Sequence, residues 1–254
     1  MNIFNEYSKY YDFIYSDKDY DSETDYLETL FELNTKPKNI LEFGCGTGIH
    51  ASILAKKKYN VHGIDSSSDM VRIAKNNISA LPKQTQKRLT FECADACNFK
   101  SNKLYDTVIS IFHVFCYQTT NQDIEKMLKN AYNHIQGNGI FIFDIWFTPA
   151  ILSSSLDIRY KSFENNDVLI KRYSRPELRN NNTLDIHYDI HILNKIKNSW
   201  SFINETHNVR FFGLPEIEYF AEKTGFEFIC SEEWITRKVP SSKSWSVTII
   251  LKKA

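Results

Sequence analysis

Residues 39 to 50 read Asn-Ile-Leu-Glu-Phe-Gly-Cys-Gly-Thr-Gly-Ile-His, an apolar run that breaks at Gly44, Gly46 and Gly48 and then resumes with a helical pattern. This junction constrains the fold more than any other stretch of the chain. Glycine adopts positive φ and lets other groups approach its backbone closely, so glycines at alternate positions predict a tight turn from a strand into a helix. The first N–H groups of a helix have no partner within it and stand open to a ligand. Counted from Gly44, the third glycine falls at 48 and Ile49 follows. The spacing is G-x-G-x-G, whereas a dehydrogenase fingerprint requires G-x-G-x-x-G. A dehydrogenase turn and a merely structural turn are the alternatives this segment leaves open.

A second apolar run, Tyr59 to Asp65, ends in a carboxylate 19 residues after Gly46. An α/β nucleotide fold places an acid there to accept hydrogen bonds from a ribose diol, so Asp65 is the expected ribose binder. Its other reading is a helix N-cap ahead of residues 69–77, a position that Ser68 or Asp69 fills equally well. A third run, Leu89 to Cys93, precedes Ala94-Asp95-Ala96, and Asp106 to Phe112 forms a fourth. With helices at about 47–57, 69–77 and 121–135 and a strand at 139–145, apolar strands alternate with amphipathic helices. That order implies right-handed βαβ units and a mostly parallel sheet covered on both faces. The ligand crevice of such a sheet lies beyond the strand C-termini, which predicts that Gly44, Asp65, Asp95 and Phe112 line one cleft.

The pattern changes after Trp146. Residues 168–173 and 184–192 alternate apolar and polar side chains around a turn at Asn180-Asn181-Asn182, and Trp200 to Arg210 reads as a third strand. These predict an inserted antiparallel sheet over 151–212, serving as a substrate platform, as a homodimer surface, or as both. A helix at 215–224 and a strand at 226–230 return to the main fold, and an alternating strand at 244–251 is expected to supply its antiparallel edge. The division is a helical lid over 1–35, a Rossmann-like domain over 36–150 and 213–254, and the platform. Within the first segment Tyr7, Tyr10 or Tyr11, Ile14 and Tyr15 recur at helical spacing, a pattern of core packing that also suits a lid over the cleft.

Several segments carry a family resemblance. The glycine turn resembles motif I of the class I methyltransferases, and Ala94-Asp95-Ala96 resembles the acidic turn that hydrogen-bonds the adenine amino group in those enzymes. Together with Tyr7-Ser8-Lys9-Tyr10-Tyr11-Asp12-Phe13-Ile14-Tyr15, Ser68-Asp69-Met70, Phe112 to Tyr117 and Thr206-His207-Asn208-Val209-Arg210, they make nearly the whole chain similar to the methyltransferases of nucleotide-linked amino sugars and their relatives in surface-glycan and antibiotic-sugar pathways. The resemblance implies S-adenosylmethionine as cofactor. It implies cofactor contacts from Tyr11, Glu42, Gly44, Cys45, Gly46, Gly48, Asp65, Ser66, Met70, Ala94, Asp95, Ala96, Ser110 and Phe112. It also implies that Tyr15 approaches the transferred methyl group and that Tyr117 faces the acceptor. Some sugar N-methyltransferases carry His where this chain has Tyr117.

Methyl transfer from a sulfonium needs positioning and exclusion of water more than a catalytic triad. An amine acceptor must arrive neutral, while a hydroxyl acceptor benefits from a general base. His113 and Tyr117 rank first for that role, followed by His187, His191 and His207. Lys plus Arg and Asp plus Glu number 31 each, so no basic footprint argues for nucleic acid or an anionic membrane. The chain also lacks the Asn/Asp-Pro-Pro-Tyr signature of base methylation after strand four. A small acceptor follows, with no nucleic-acid or membrane partner. No run of 18 apolar residues and no secretory pattern in Met1 to Glu6 point to the cytoplasm. Five cysteines, odd in number and mostly within apolar strands, read as thiols rather than a disulfide framework, and no zinc or other metal site is expected. Three functions fit: methylation of a sugar nucleotide or related glycan precursor, methylation of a free small amine or acid, and cofactor binding by a non-catalytic assembly partner.

Overall fold

The computed structural model describes residues 7 to 253; the expectations for Met1 to Glu6 and for Ala254 lie outside them. Two helices, α1 (Tyr11–Ile14) and α2 (Tyr20–Asn34), precede β1 (Asn39–Phe43), α3 (Ile49–Lys56), β2 (Asn60–Asp65), α4 (Ser68–Ile78), α5 (Lys83–Gln86), β3 (Leu89–Cys93), β4 (Tyr105–Ser110), α6 (Asn121–His134), β5 (Ile135–Trp146) and α7 (Thr148–Ser153). Next come β6 (Arg159–Glu164), β7 (Val168–Leu178), β8 (Thr183–Asn194) and β9 (Ser199–Arg210), then α8 (Leu214–Lys223), β10 (Phe226–Glu233) and β11 (Ser246–Lys253). A seven-stranded sheet runs in the order β10-β11-β5-β4-β1-β2-β3, and β6 to β9 form a separate four-stranded sheet.

The strands from β1 to β5 pair in parallel. Their central residues, such as Ile40, Leu41, Val108, Ile109, Ile142 and Phe143, are fully buried, as expected where helices cover both faces. β11 runs antiparallel between β5 and β10, so the edge strand is β10 rather than the final strand of the chain. Burial explains the order: Val247, Ile249, Ile250 and Leu251 of β11 need cover, while β10 carries the mixed exposure of an edge. The fourth strand also stops early, at Ser110, because Phe112 and His113 both take φ of +64°.

The platform holds four strands, one more than the sequence predicts. β6 escapes prediction because its residues Arg159 to Glu164 are almost all exposed and show no apolar alternation. Leu184, Ile186 and Val209 join the main core, whereas Ile170, Ile190 and Ile192 bury Tyr7 and Ile14 of the N-terminal segment. The four-stranded sheet is therefore packed against both the main core and the N-terminal segment. Its far side bears an aromatic row, with ring centroids 5.0 Å apart for Tyr160 and Tyr173, 5.6 Å for Tyr173 and His191, and 5.0 Å for His191 and Phe202. Among the described residues no helix is long and apolar enough to cross a membrane.

Candidate functional site

A cavity of about 930 Å³ lies beyond the C-terminal ends of the parallel strands, and Gly44, Asp65, Asp95 and Phe112 all line it. Cys45, Gly46, Ser66, Met70, Ala94 and Ala96 complete that end. Tyr11 and Tyr15 border the cavity from the N-terminal segment, and Tyr188 with Thr206 to Val209 border it from the platform.

The glycines act differently from one another. Gly44 has φ +74°, and a Cβ there would sit 2.5 Å from the Val114 side chain, so no other residue fits without displacing it. Gly46 has φ +54° and a Cβ would meet nothing within 4 Å, which makes it the residue that borders open space. Four N–H groups of the turn are bonded within the protein. Gly44 and Cys45 donate to the Ile64 carbonyl at 2.8 and 2.9 Å, Gly48 donates to Cys45, and Gly46 donates to Asp65 Oδ2 at 2.9 Å. At Gly46 the turn contributes the absence of a side chain.

Asp65 also accepts from the Ser67 N–H through Oδ1 at 2.8 Å. Each carboxylate oxygen keeps a further lone pair for a ligand. Burial pushes this carboxyl up, and the two backbone donors pull against that shift. The cap of α4 is Ser67, whose Oγ accepts from Met70 N at 3.3 Å; Asp65, Ser68 and Asp69 do not fill that position. Asp95 holds its own turn through Cys97 N at 2.6 Å.

Three expected cofactor residues do not reach the cavity. Glu42 is buried within β1 with Oε2 unpartnered, and burial, with the Asp65 charge beside it, pushes its carboxyl up to about 8. Gly48 lies behind the turn, where a Cβ would meet the Phe91 ring at 2.6 Å, so it serves close packing of α3. Ser110 is fully buried with its Oγ unpartnered, because the chain turns away only after it.

The other end of the cavity contains two acid–base groupings. The buried Asp144 carboxylate accepts from the His113 backbone N–H at 2.9 Å and lies 2.6 Å from His113 Nδ1, at an angle too poor for a full hydrogen bond. Burial would raise Asp144, but His113 beside it and Ser246 hold it below the usual carboxylate range. In the second grouping, the Tyr117 hydroxyl lies 2.7 Å from His207 Nδ1, and His207 Nε2 lies 3.1 Å from Glu205 Oε2. A carboxylate only accepts, so Nε2 carries hydrogen and Nδ1 accepts from the phenol. Burial, with Tyr188 and Tyr15 nearby, pushes the Tyr117 hydroxyl well up. It is thus a neutral phenol whose outlet for a proton is His207. His187 and His191 stand on the other face of β8, bonding Thr206 and Glu177 and packing edge-on against Phe202 respectively, and neither lines the cavity.

The N-terminal segment crosses this site. Tyr15 packs edge-on against Phe112 with centroids 5.2 Å apart. The buried Arg172 of β7 donates to the Tyr7 and Tyr15 hydroxyls at 3.0 and 3.1 Å, while Thr47 beside the glycines donates to Asp12 at 2.5 Å. Glu23 of α2 gathers Lys18, Trp234 Nε1 and His50 Nε2, the last at 2.7 Å. Burial lowers both the His50 imidazole and the Lys18 ammonium, with Glu23 pulling against the shift in each.

Sequence reasoning missed Asp144, Glu205, Tyr188, Trp146, Trp245 and Arg159. Signals existed for two of them: Tyr188 shares a face of β8 with Ile186, and Glu205 shares a face of β9 with His207, each by the period of two. The others depend on long-range contacts.

Residues 40–139 match the family model described as a methyltransferase domain. The chain is 25% identical over 242 residues to "Putative methyltransferase YqeM" of Bacillus subtilis (strain 168), covering 95% of this chain and 94% of that protein. It is 24% identical over 147 residues, 57% of this chain and 59% of the other, to a dTDP-3-amino-3,4,6-trideoxy-alpha-D-glucopyranose N,N-dimethyltransferase of Streptomyces venezuelae. In structure it is similar to an S-adenosylmethionine-dependent methyltransferase from Clostridium acetobutylicum ATCC 824, with a TM-score of 0.82, 21% identity, and 98% and 100% of the two chains covered.

Proposed function

This chain is an S-adenosylmethionine-dependent methyltransferase, and we propose that it methylates oxygen or nitrogen of a small molecule, a nucleotide-linked sugar or related glycan precursor. One observation carries the reading: a single cavity joins the Gly46–Asp65–Asp95 end to the relay between Tyr117, after β4, and His207 of the platform. The similarity to an amino-sugar dimethyltransferase supports the substrate class.

The cofactor end suits its ligand: Gly46 borders open space, and Asp65 and Asp95 offer acceptors to hydroxyl and amino donors. Asp65 would hold the ribose diol and the Asp95 turn the adenine, with Met70 and Phe112 as apolar walls. S-adenosylmethionine, when bound, supplies an electrophilic methyl group whose leaving group is already in place. Tyr11 and Tyr15 exclude water from above, and Tyr117 with His113 orients the acceptor atom. For a hydroxyl acceptor, Tyr117 takes the proton as its own passes to His207, and Glu205 stabilises the resulting imidazolium. An amine needs only to arrive neutral.

Labelled cofactor and a panel of amino- and hydroxy-sugar nucleotides, free amines and free acids test this. Turnover confined to free amines or acids would refute the substrate class, and cofactor binding without turnover on any acceptor would favour a non-catalytic role. The exposed aromatic row supports a second use of the platform as a homodimer surface. Phe202→Glu should then lower the sedimentation coefficient, and an unchanged monomer would reject it.

A further inference from the structure

The cavity is asymmetric in charge. Its two carboxylates, Asp65 and Asp95, follow strands of the main sheet at the cofactor end, whereas Arg159, the first residue of β6, is the only Lys or Arg among the described residues that line it. Arg159 is exposed. It makes no ion pair among the described residues; its guanidinium stacks on Trp245, 5.1 Å from the ring centroid, and its charge acts on the Tyr188 hydroxyl across the cavity. From there aromatic contacts lead inward, Trp245 to Trp146 at 5.6 Å and Trp146 to His113 at 5.6 Å. The Trp146 indole N–H on this wall is buried without a partner.

A guanidinium already stacked on an indole is held in position, so less freedom is lost when it forms paired hydrogen bonds to an oxyanion. The indole faces suit the flat apolar side of a ring, and an unpartnered buried donor suits a hydroxyl or carbonyl of a ligand. We propose that Arg159 and Trp245 form an anion subsite for the acceptor, with the rest of the acceptor lying along Trp245 and Trp146 toward His113 and Tyr117. On the reading above, which places the acceptor at this end, the anion is the phosphate of a nucleotide-linked molecule. A carboxylate offers the same chemistry from a different source.

Binding of inorganic pyrophosphate, uridine diphosphate, uridine and citrate to protein loaded with S-adenosylhomocysteine separates these cases, read by calorimetry and tryptophan fluorescence. Pyrophosphate and uridine diphosphate should bind and quench, with uridine much weaker. Arg159→Ala should weaken both anions at least tenfold while leaving S-adenosylhomocysteine affinity unchanged, and Arg159→Lys should recover only part of the loss. Equal anion binding by wild type and Arg159→Ala, uridine binding as tightly as its diphosphate, or no anion binding at all would overturn the subsite. If citrate alone responds to Arg159→Ala, the subsite stands and the nucleotide-linked acceptor falls.

Discussion

The two ends of the cavity are built by different means. At the proposed cofactor end the sheet and its turns do the positioning: backbone groups bond one another, two glycines have positive φ beside open space or a neighbouring side chain, and Asp65 is fixed by two N–H donors. At the proposed acceptor end positioning passes through side chains from three separate places, the segment after β4, β5 and β9, in the Tyr117–His207–Glu205 relay and the His113–Asp144 pair. A site made of backbone tolerates few changes and serves one ligand. A site made of side chains on an inserted sheet can be re-specified by substitution while the cofactor end stays intact.

The largest expected effect falls on the acceptor end. With a hydroxyl acceptor, Tyr117→Phe or His207→Ala should lower kcat by about a hundredfold or more while cofactor affinity, measured by calorimetry, stays unchanged. Should His113→Ala alone give that loss, the proton leaves through the Asp144 pair instead. With an amine acceptor, the same variants should mainly raise KM. Variants of all three residues that keep wild-type kcat and KM would remove the relay from the reaction.

At the cofactor end, Asp65→Ala should weaken S-adenosylmethionine binding by roughly 1.5–3 kcal/mol. Asp65 also anchors Gly46 and Ser67, so Asp65→Asn, which retains an acceptor, separates loss of the ligand contact from loosening of the turn. Calorimetric affinity unchanged in a folded Asp65→Ala protein would place the ribose elsewhere. Excision of residues 160–208 offers no clean separation of the two ends, because Ile170, Ile190, Ile192, Leu184 and Ile186 of that sheet are core residues.

The contrast between Gly44 and Gly46 gives a smaller effect. Both take positive φ, for which a side chain costs roughly 1–2 kcal/mol, but only Gly44 also faces a clash, with Val114. Gly46→Ala should therefore lower Tm by several degrees and Gly44→Ala by more. Equal losses would mean that Val114 moves aside at little cost.

The same contrast decides what the sequence discloses. The convergence of Gly44, Gly46, Asp65 and Asp95 on one cavity is readable because its determinants are local: glycine spacing, an acid at the end of β2, an acidic turn after β3. Even there Glu42, Gly48 and Ser110 do not line the cavity, since a motif marks a segment and not which of its members face inward. Phe112 and His113 leave the strand by left-handed turns that their residue types do not announce. The acceptor end needs partners brought from 90 residues apart, as Tyr117 and His207 are. Alternation along β8 assigns Tyr188 to the inner face and His187 and His191 to the outer one, but nothing in the sequence says which face meets the cleft. The exposed, polar β6 leaves no apolar signal at all, so Arg159 is invisible until the sheet is assembled.

The smallest expected effect concerns the seam between the lid and the cofactor end. His50 lines the cavity and bonds Glu23 of α2, and burial holds its imidazole below the ordinary value of 6.5. As pH falls through that value the unfolded chain takes up a proton that the folded chain still refuses. Stability from this group is complete above about pH 6.5 and declines below it until the folded imidazole also protonates, with a slope of at most about 1.4 kcal/mol per pH unit. His50→Gln keeps a donor for Glu23 and removes the titration, so its Tm should fall less than that of the wild type between pH 7 and 5.5, by a few degrees for a chain of this size. Glu23, lowered overall by His50 and Lys18 against the effect of burial, acts in the same direction but lower, across and below the usual carboxylate range near 4.3, which keeps its contribution out of this window. Parallel Tm profiles for wild type and His50→Gln would mean that the imidazole titrates alike in the folded and unfolded chain, and a wild-type Tm that falls less than the variant's would mean that the folded chain holds it charged against Glu23.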